Sequence, residues 1–444
     1  MSKIRLHGSS SGYTEIAPVA ASGNNTLTLP DDGTIISKDA NGAVGVTSVH
    51  TTNITATGIA TITTAKIGVG VTISESGIEA SGIGITCANI NGTQIGGRRN
   101  IIINGAMQVA QRGTSTTTVP GYLCDRWRVK TVNTDNVAMT VSQDATSYPT
   151  DFTQCLKIDI TTAETTLDSN EYLQVQQRIE AQDLQQINNG TSNAKPLVLS
   201  FYVKAYQAGN YVVSIYKDDN TQRVISLPYT INASATWERK VLVIPGDTSG
   251  GGIANDTGIG YQLDWFLAAG SDYTSTDSTS WINWASTGYA YGQAVNTMSS
   301  TDNYWQITGV QLEVGSQVTP FEHRSYGEEL RLCSRYYQRI SGSNGTAIAM
   351  AFNYNTSLVD WVLQYPMGPM RVTPALDQST GSDYFQYQGS VDGVVHLDGS
   401  FVIEQSTTTQ ANIYFDPDGS LTHGGIGYIL VDNSSASLAL SSEL

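Results

Sequence analysis

Basic residues are scarce in this chain. Its 444 residues carry 23 Lys and Arg against 39 Asp and Glu, a formal charge of −16, the wrong sign for neutralising phosphates or settling on an anionic membrane. Nucleic acid is therefore excluded as the expected partner. Cysteine is scarce as well: Cys87, Cys124, Cys155 and Cys333 stand far apart with no C-x-x-C spacing, which points to isolated buried thiols and away from a disulfide framework or a zinc site. No run approaches the roughly 18 consecutive apolar residues of a membrane helix, and the first dozen residues lack the apolar centre of a signal peptide. The expectation is synthesis and folding in a cytosol, with no membrane insertion.

Aromatic residues are missing from a long stretch: after Tyr13 none appears before Tyr122. Between positions 40 and 97 only Lys66, Glu75 and Glu79 are charged. The alternation of Ile67, Val69, Val71 and Ile73, resumed at Ile83 and Ile85, is strand periodicity, and Gly58, Gly68, Gly70, Gly77, Gly82, Gly84 and Gly92 cut it into very short strands. Fifteen Ile or Val side chains among these 58 residues recover less free energy on burial than ordering the backbone costs. Burial has to be shared between identical chains, so 41–97 reads as an interwound β shaft. High Ile content with almost no charge argues against disorder.

What is abundant is Gly, Thr, Ser, Asn, Ile and Tyr, with only 14% charged residues, the profile of strands and turns. Residues 1–40 hold one short alternation, Thr26-Leu27-Thr28-Leu29-Pro30, closed by the turn Asp31-Asp32-Gly33. That is too little for a domain and suits a segment that drapes on a partner or adds a strand to it. From Arg98 the composition changes, with Trp127, Trp237, Trp265, Trp281, Trp284 and Trp305 all before position 325. Runs such as Leu197-Val-Leu-Ser-Phe-Tyr-Val-Lys204, Tyr211-Val-Val-Ser-Ile-Tyr216 and Lys240-Val-Leu-Val-Ile244 are strands long enough for a β-sandwich over 98–325. Tyr326 to Arg339 has a helical pattern, opened by Glu328 and Glu329, closed by Arg335 and Arg339, with Leu330, Cys333 and Tyr337 on one stripe. A linker helix at 326–340 is predicted, its stripe facing either a three-fold axis or the chain's own sandwich, followed by a C-terminal β domain at 341–444.

The block Arg99-Asn-Ile-Ile-Ile-Asn-Gly-Ala-Met-Gln-Val-Ala-Gln-Arg-Gly113, with Cys124-Asp-Arg-Trp-Arg128, Gln176-Gln-Arg-Ile-Glu180, Leu199-Ser-Phe-Tyr-Val-Lys-Ala205, Trp237, Pro245-Gly-Asp-Thr248 and Gln311-Leu-Glu-Val-Gly-Ser316, resembles a sandwich module of bacteriophage tail fibres. That module is similar in layout to jelly-roll carbohydrate-binding modules. Glu329-Leu330 and Cys333-Ser-Arg-Tyr-Tyr-Gln338 look like the segment that ends it. Gly8-Ser-Ser-Ser-Gly-Tyr13, Pro18, Asn24-Asn-Thr-Leu-Thr-Leu-Pro30 and Gly33-Thr34 are similar to the start of phage appendage proteins, often from phages of cyanobacteria. The resemblance covers 1–34 and about 99–340. It implies a homotrimeric tail fibre located in the virion and made in the host cytoplasm, joined to a phage tail or adaptor protein through 1–40, recognising the host towards its C terminus. The expected fold class is thus all-β: an elongated trimer with a short-stranded shaft, a jelly-roll sandwich, a short helix and a C-terminal β tip.

Catalytic material is thin. Gly8-Ser-Ser-Ser-Gly12 meets the G-x-S-x-G pattern but lacks the strand and helix of a nucleophile elbow, and the five His are scattered. Two glycosidase carboxylates leave no sequence signature, so a glycan-depolymerising tailspike stands as the rival to adhesion, alongside a purely structural appendage. A regular β-helix array of the depolymerase kind is not visible. Asp416-Pro-Asp-Gly419 has the clustered carboxylates on a turn that suit calcium, but a plain turn is the favoured reading. No catalytic residue, metal ligand or cofactor is assigned. Sugar binding asks for flat aromatic faces beside amides and carboxylates. Two loops have that content: Trp281, Trp284, Tyr289 and Tyr291 in one, Tyr384 and Tyr387 in the other. Three weak sites on one rod would hold a repetitive host surface polysaccharide by avidity.

Overall fold

A computed structural model describes residues 4–7, 12–16, 64–67, 71–74, 77–80 and 98–444 apart from 382, 398 and 418. The alternation at Thr26–Leu29, the Gly8–Gly12 pattern, most of the shaft, Cys87 and Asp418 of the 416–419 turn lie outside the described residues. The chain divides into two units, Met1–Thr86 and Cys87–Leu444. In the first, Ile4–His7 pairs antiparallel with Tyr13–Ile16, and Thr64–Ile67, Val71–Ser74 and Gly77–Ala80 form a three-stranded antiparallel meander.

The regular structure of the second unit is almost all antiparallel sheet. Its larger part is a jelly-roll sandwich of two sheets. One runs in the order Glu238–Ile244, Leu197–Ala205, Tyr304–Val314, Cys155–Thr162, Ala138–Asp144, Ser115–Thr116; the other runs Ile282–Asn283, Arg223–Ile231, Gly209–Lys217, Ile259–Ala269, Tyr172–Glu180, Arg128–Val132, Gly121–Tyr122. The central neighbours, Leu197–Ala205 beside Tyr304–Val314 and Tyr172–Glu180 beside Ile259–Ala269, are far apart in sequence, as crossing between the sheets requires. The aromatic residues fill the space between them. Trp127 and Trp265 are fully buried with ring centroids 5.3 Å apart, and Phe201 meets Trp265 edge-on at 5.9 Å and Tyr229 at 5.2 Å. Cys124, Cys155 and Cys333 are buried, unpaired thiols.

The helix is shorter than its sequence pattern suggests, occupying Tyr326–Ser334. Ser325 and Glu328 close a reciprocal capping box at its start. Its pattern stops because Tyr337–Arg339 finds a strand partner in Leu438–Ser441, which satisfies the backbone that a longer helix would have satisfied internally. Of the two orientations open to the stripe, the chain packs it on its own sandwich. Cys333 is fully buried, Glu329 accepts from the Asn104 backbone N–H, and Arg335 and Tyr336 both donate to Glu180.

Leu438–Ser441 also pairs with Ala375–Gln378, and a seven-stranded sheet completes the C-terminal domain around Trp361, Phe385, Phe401 and Phe415. Residues 442–444 then return to the sandwich. The Glu443 carboxylate pairs with Arg126 and Arg112, and the Leu444 backbone oxygen accepts from Arg178 Nη1 at 2.6 Å. Arg126 is 2% exposed, lies 3.5 Å above the Tyr336 ring, and donates its other arm to the Arg178 carbonyl at 2.6 Å. Removing one partner from a buried pair leaves an uncompensated charge. Glu443→Ala is therefore expected to cost about 3 kcal/mol, read as a lower urea midpoint. A loss under about 0.5 kcal/mol, the value of an exposed pair, would contradict this account.

Candidate functional site

The outward face of the seven-stranded sandwich sheet is unusually polar for a buried surface. Along Tyr172–Glu180 and Ile259–Ala269 it presents Gln176, Gln262 and Asp264, all under 9% exposed. Gln176 Nε2 donates to one oxygen of Asp264 at 2.9 Å, while Gln262 Nε2 at 2.9 Å and the Tyr289 hydroxyl at 2.7 Å donate to the other. Arg178 Nε donates to Gln262 Oε1 at 2.9 Å. Burial pushes the Asp264 carboxyl above the ordinary carboxylate range, against the opposing pull of those donors.

What buries this face is the chain itself. Residues 271–297, the connection between Ile259–Ala269 and Tyr304–Val314, fold back over the sheet. Ser214 and Ser226 donate to the backbone oxygens of Tyr289 and Gly288, and Gln293 accepts from the Val212 N–H at 2.9 Å. Gly292 makes the close passage feasible: its φ is +95° and a Cβ there would stand 2.8 Å from Pro228. Tyr289 sits in a second apolar cluster with Tyr172, Val212, Val224 and Phe266.

The six sequence-predicted glycan contacts have separate fates. Tyr289 is 6% exposed and its ring belongs to that cluster. Tyr387 is fully buried in the core of the C-terminal domain, where Tyr384 packs half-buried against the same core, so the pair forms no open platform. Tyr291 is half-buried. Trp281 is half-buried too, its Nε1 donating to the Pro245 carbonyl at 2.7 Å and its ring 5.8 Å from Tyr261. Trp284 alone of the six is exposed, at 36%, with its ring edge against Tyr216 at 4.9 Å and Tyr289 at 4.8 Å.

Beside Trp284 lie groups that suit sugar hydroxyls. The Tyr216 hydroxyl donates to Asp218 at 2.9 Å and Gln222 Nε2 donates to the same oxygen at 3.2 Å. Arg223 holds the platform from below, bonding Asp247 at 2.8 Å, Asn283 at 2.8 Å and the Trp281 carbonyl at 2.9 Å. A half-exposed indole fixed by two tyrosines, with a carboxylate and an amide beside it, has the chemistry for stacking on a pyranose.

A second recess was not anticipated from sequence. On the six-stranded sheet a cavity of about 550 Å³ is lined by Phe152, Ser200, Tyr202, Arg239, Phe321 and His323. It owes its shape to an irregularity in strand register near Ser200 and Tyr202, opposite Gly309, whose φ is +62° and where a Cβ would stand only 2.6 Å from the Phe152 ring. The available signal was a lone glycine inside a strand pattern.

No protein-family model matches the chain, and no curated protein sequence matches it. Solved structures do resemble it. The enzymatically active domain of tailspike protein 4 of bacteriophage CBA120 is 13% identical with a TM-score of 0.26, over 48% of this chain and 21% of that one. The tandem CBM22-1–CBM22-2 domain of Paenibacillus barcinonensis Xyn10C is 9% identical at 0.25, over 81% and 100%. The family 11 carbohydrate-binding module of Clostridium thermocellum Lic26A-Cel5E is 13% identical at 0.23, over 47% and 95%. This chain thus spans about a fifth of the tailspike domain. The jelly-roll assignment rests on the strand order given above.

The Asp264 network generates a pH test. A carboxyl whose folded pKa is raised keeps its proton to higher pH than in the unfolded chain, so its contribution to stability is greatest in acid. It falls as pH rises from the unfolded towards the folded value. Asp264→Asn is expected to remove that part of the slope, up to about 1.4 kcal/mol per pH unit. Denaturant unfolding of both proteins across the acid range checks this, and parallel pH profiles would contradict it.

Proposed function

We infer that the chain is a glycan-binding adhesin of a bacteriophage tail fibre, in which Trp284 and its surroundings engage a host surface polysaccharide without cleaving it. The observation that carries the binding half is the Trp284 platform: an exposed indole whose orientation is fixed by Tyr216 and Tyr289, with Asp218 and Gln222 beside it. A rigid ring loses little entropy on binding, which suits a shallow site whose strength comes from repetition.

Assembly of copies has two supports. In the meander, register sets Ile67 opposite Val71 and Ile73 opposite both Ala65 and Ile78, apolar against apolar at alternate positions. A sheet this small does not stand alone in water, so cover from other copies is the reading. In the C-terminal domain, Met350 pairs with Tyr428 and Phe352 with Ile426, and all four are exposed, joined by Tyr354 and Val362. Soluble proteins that expose contiguous apolar sheet faces use them for association. Attachment to a phage tail or adaptor protein falls to 1–40, whose described part is the hairpin of Ile4–His7 and Tyr13–Ile16.

Two measurements test this reading. Affinity electrophoresis through host polysaccharide is expected to retard the protein, and Trp284→Ala to weaken that by at least about tenfold with an unchanged unfolding midpoint. Tyr202→Ala reports on the Phe152 cavity in the same gel; retardation lost only in this variant would move the site there, and falling polysaccharide viscosity would replace adhesion by depolymerisation. Sedimentation equilibrium is expected to give three times 47.5 kDa, and a monomeric full-length chain would remove the fibre model.

A further inference from the structure

Three carboxylates from two connections of the sandwich converge. Asp135 follows the strand Arg128–Val132, Glu164 follows Cys155–Thr162, and Glu171 immediately precedes Tyr172–Glu180. One oxygen from each lies within 4.8 Å of the other two. Glu164 is 7% and Glu171 1% exposed, whereas Asp135 is open to solvent. Two buried carboxylates side by side are costly unless positive charge stands between them. Among the described residues no Lys or Arg forms an ion pair with any of the three.

The hydrogen bonds present leave the cluster incomplete. The Asp135 N–H donates to Glu164 Oε1 at 2.9 Å and the Asp168 N–H to Glu171 Oε2 at 2.7 Å. Glu164 Oε2 is buried with no hydrogen-bond partner. An orphaned carboxylate oxygen beside a second buried carboxylate is an arrangement that a cation would satisfy.

We propose that Asp135, Glu164 and Glu171 bind a divalent cation of the size and hardness of calcium. The donor set is all oxygen, with no His or Cys, which disfavours zinc. Calcium–oxygen distances of about 2.3–2.6 Å allow ligand oxygens to stand up to about 5 Å apart on one ion, matching the observed spread. The exposed Asp135 supplies the entry path and leaves room for water ligands. The ion would join the 133–137 turn to the 163–171 connection. Those segments already meet through Asn133, which donates to the Asn170 carbonyl at 2.9 Å. The Tyr273 hydroxyl donates to the same carbonyl at 3.2 Å and the Asp272 N–H to Ser169 at 2.9 Å, so the ion would also stiffen the base of the 271–297 fold-back. A second acidic group, Asp383, His396 and Asp432, is open to water and its imidazole already faces both carboxylates; it shows no such vacancy of partners.

The test is calcium titration calorimetry on the full-length protein after EDTA treatment. One ion per chain is expected, with an unfolding midpoint about 5 °C higher in 1 mM calcium than in EDTA. Glu164→Gln is expected to lower affinity at least about tenfold, yet to unfold in EDTA no lower than the parent, because it removes an uncompensated buried charge; a merely structural glutamate would not behave so. Asp135→Ser, on the exposed turn, is expected to weaken uptake without altering the buried pair and serves if Glu164→Gln fails to fold. Absence of uptake at 1 mM calcium, or uptake unchanged in both variants, would overturn the site and leave the two glutamates sharing a proton.

Discussion

A guanidinium does not give up its charge inside a protein, and Arg126 is buried. That constraint organises the whole 98–444 unit. The countercharge comes from Glu443, 317 residues away, and Tyr336 supplies a ring face. The same seam gathers cations that the chain otherwise uses sparingly. Arg112 stacks on Tyr337 at 3.6 Å, Arg335 binds Glu180, and Arg371 donates to the backbone oxygens of Thr257, Ser442 and Glu443. Sandwich, helix and C-terminal sheet are therefore joined by charge-assisted hydrogen bonds to backbone and carboxylate, which fix direction more sharply than apolar contact does. Residues 326–340 are consequently a packed junction, in which a capped helix and a strand both press on the sandwich.

The second constraint is the polar outer face around Asp264. A sheet face carrying glutamines, serines and an aspartate is ordinarily wet. Here the 271–297 fold-back dries it, with backbone carbonyls that accept from Ser214 and Ser226 and the Tyr289 hydroxyl that donates to Asp264. Covering the face leaves Trp284 as the exposed ring at the margin of the fold-back. The site thus depends on Tyr289 in an indirect way: that residue is inaccessible, yet its ring edge helps to set the indole plane.

How much of this was legible in the sequence depends on the range of the interaction. Strand runs such as Leu197–Ala205 and the identity of Trp127 and Trp265 as core follow from local pattern and apolar volume, and the structure has them so. The helix was legible at its start, where the Ser325–Glu328 box is local, and illegible at its end, because the strand partner of Tyr337 lies about a hundred residues downstream. Among the candidate rings, composition marked loops in which aromatic and amide groups are clustered. It could not separate Trp284 from Tyr289 or Tyr387, since exposure is set by which strand each ring is laid against. The Phe152 cavity was hidden for a related reason: its walls come from five separate stretches of chain, brought together at a register irregularity opposite Gly309.

The Ile-rich stretch poses the opposite problem, of a sequence that is simple and a fold that local pairing alone does not complete. Its described strands satisfy one another's backbone groups within one chain, which removes part of the demand for partner edges. Among the described residues it leaves two edge strands, Thr64–Ile67 and Gly77–Ala80, and a sheet of three strands with no aromatic residue. Edges and uncovered apolar positions are the two features through which sheets recruit further copies. In-chain pairing thus accounts for the backbone of the described strands, while a sheet of this size still needs cover on its faces and edges to be stable in water.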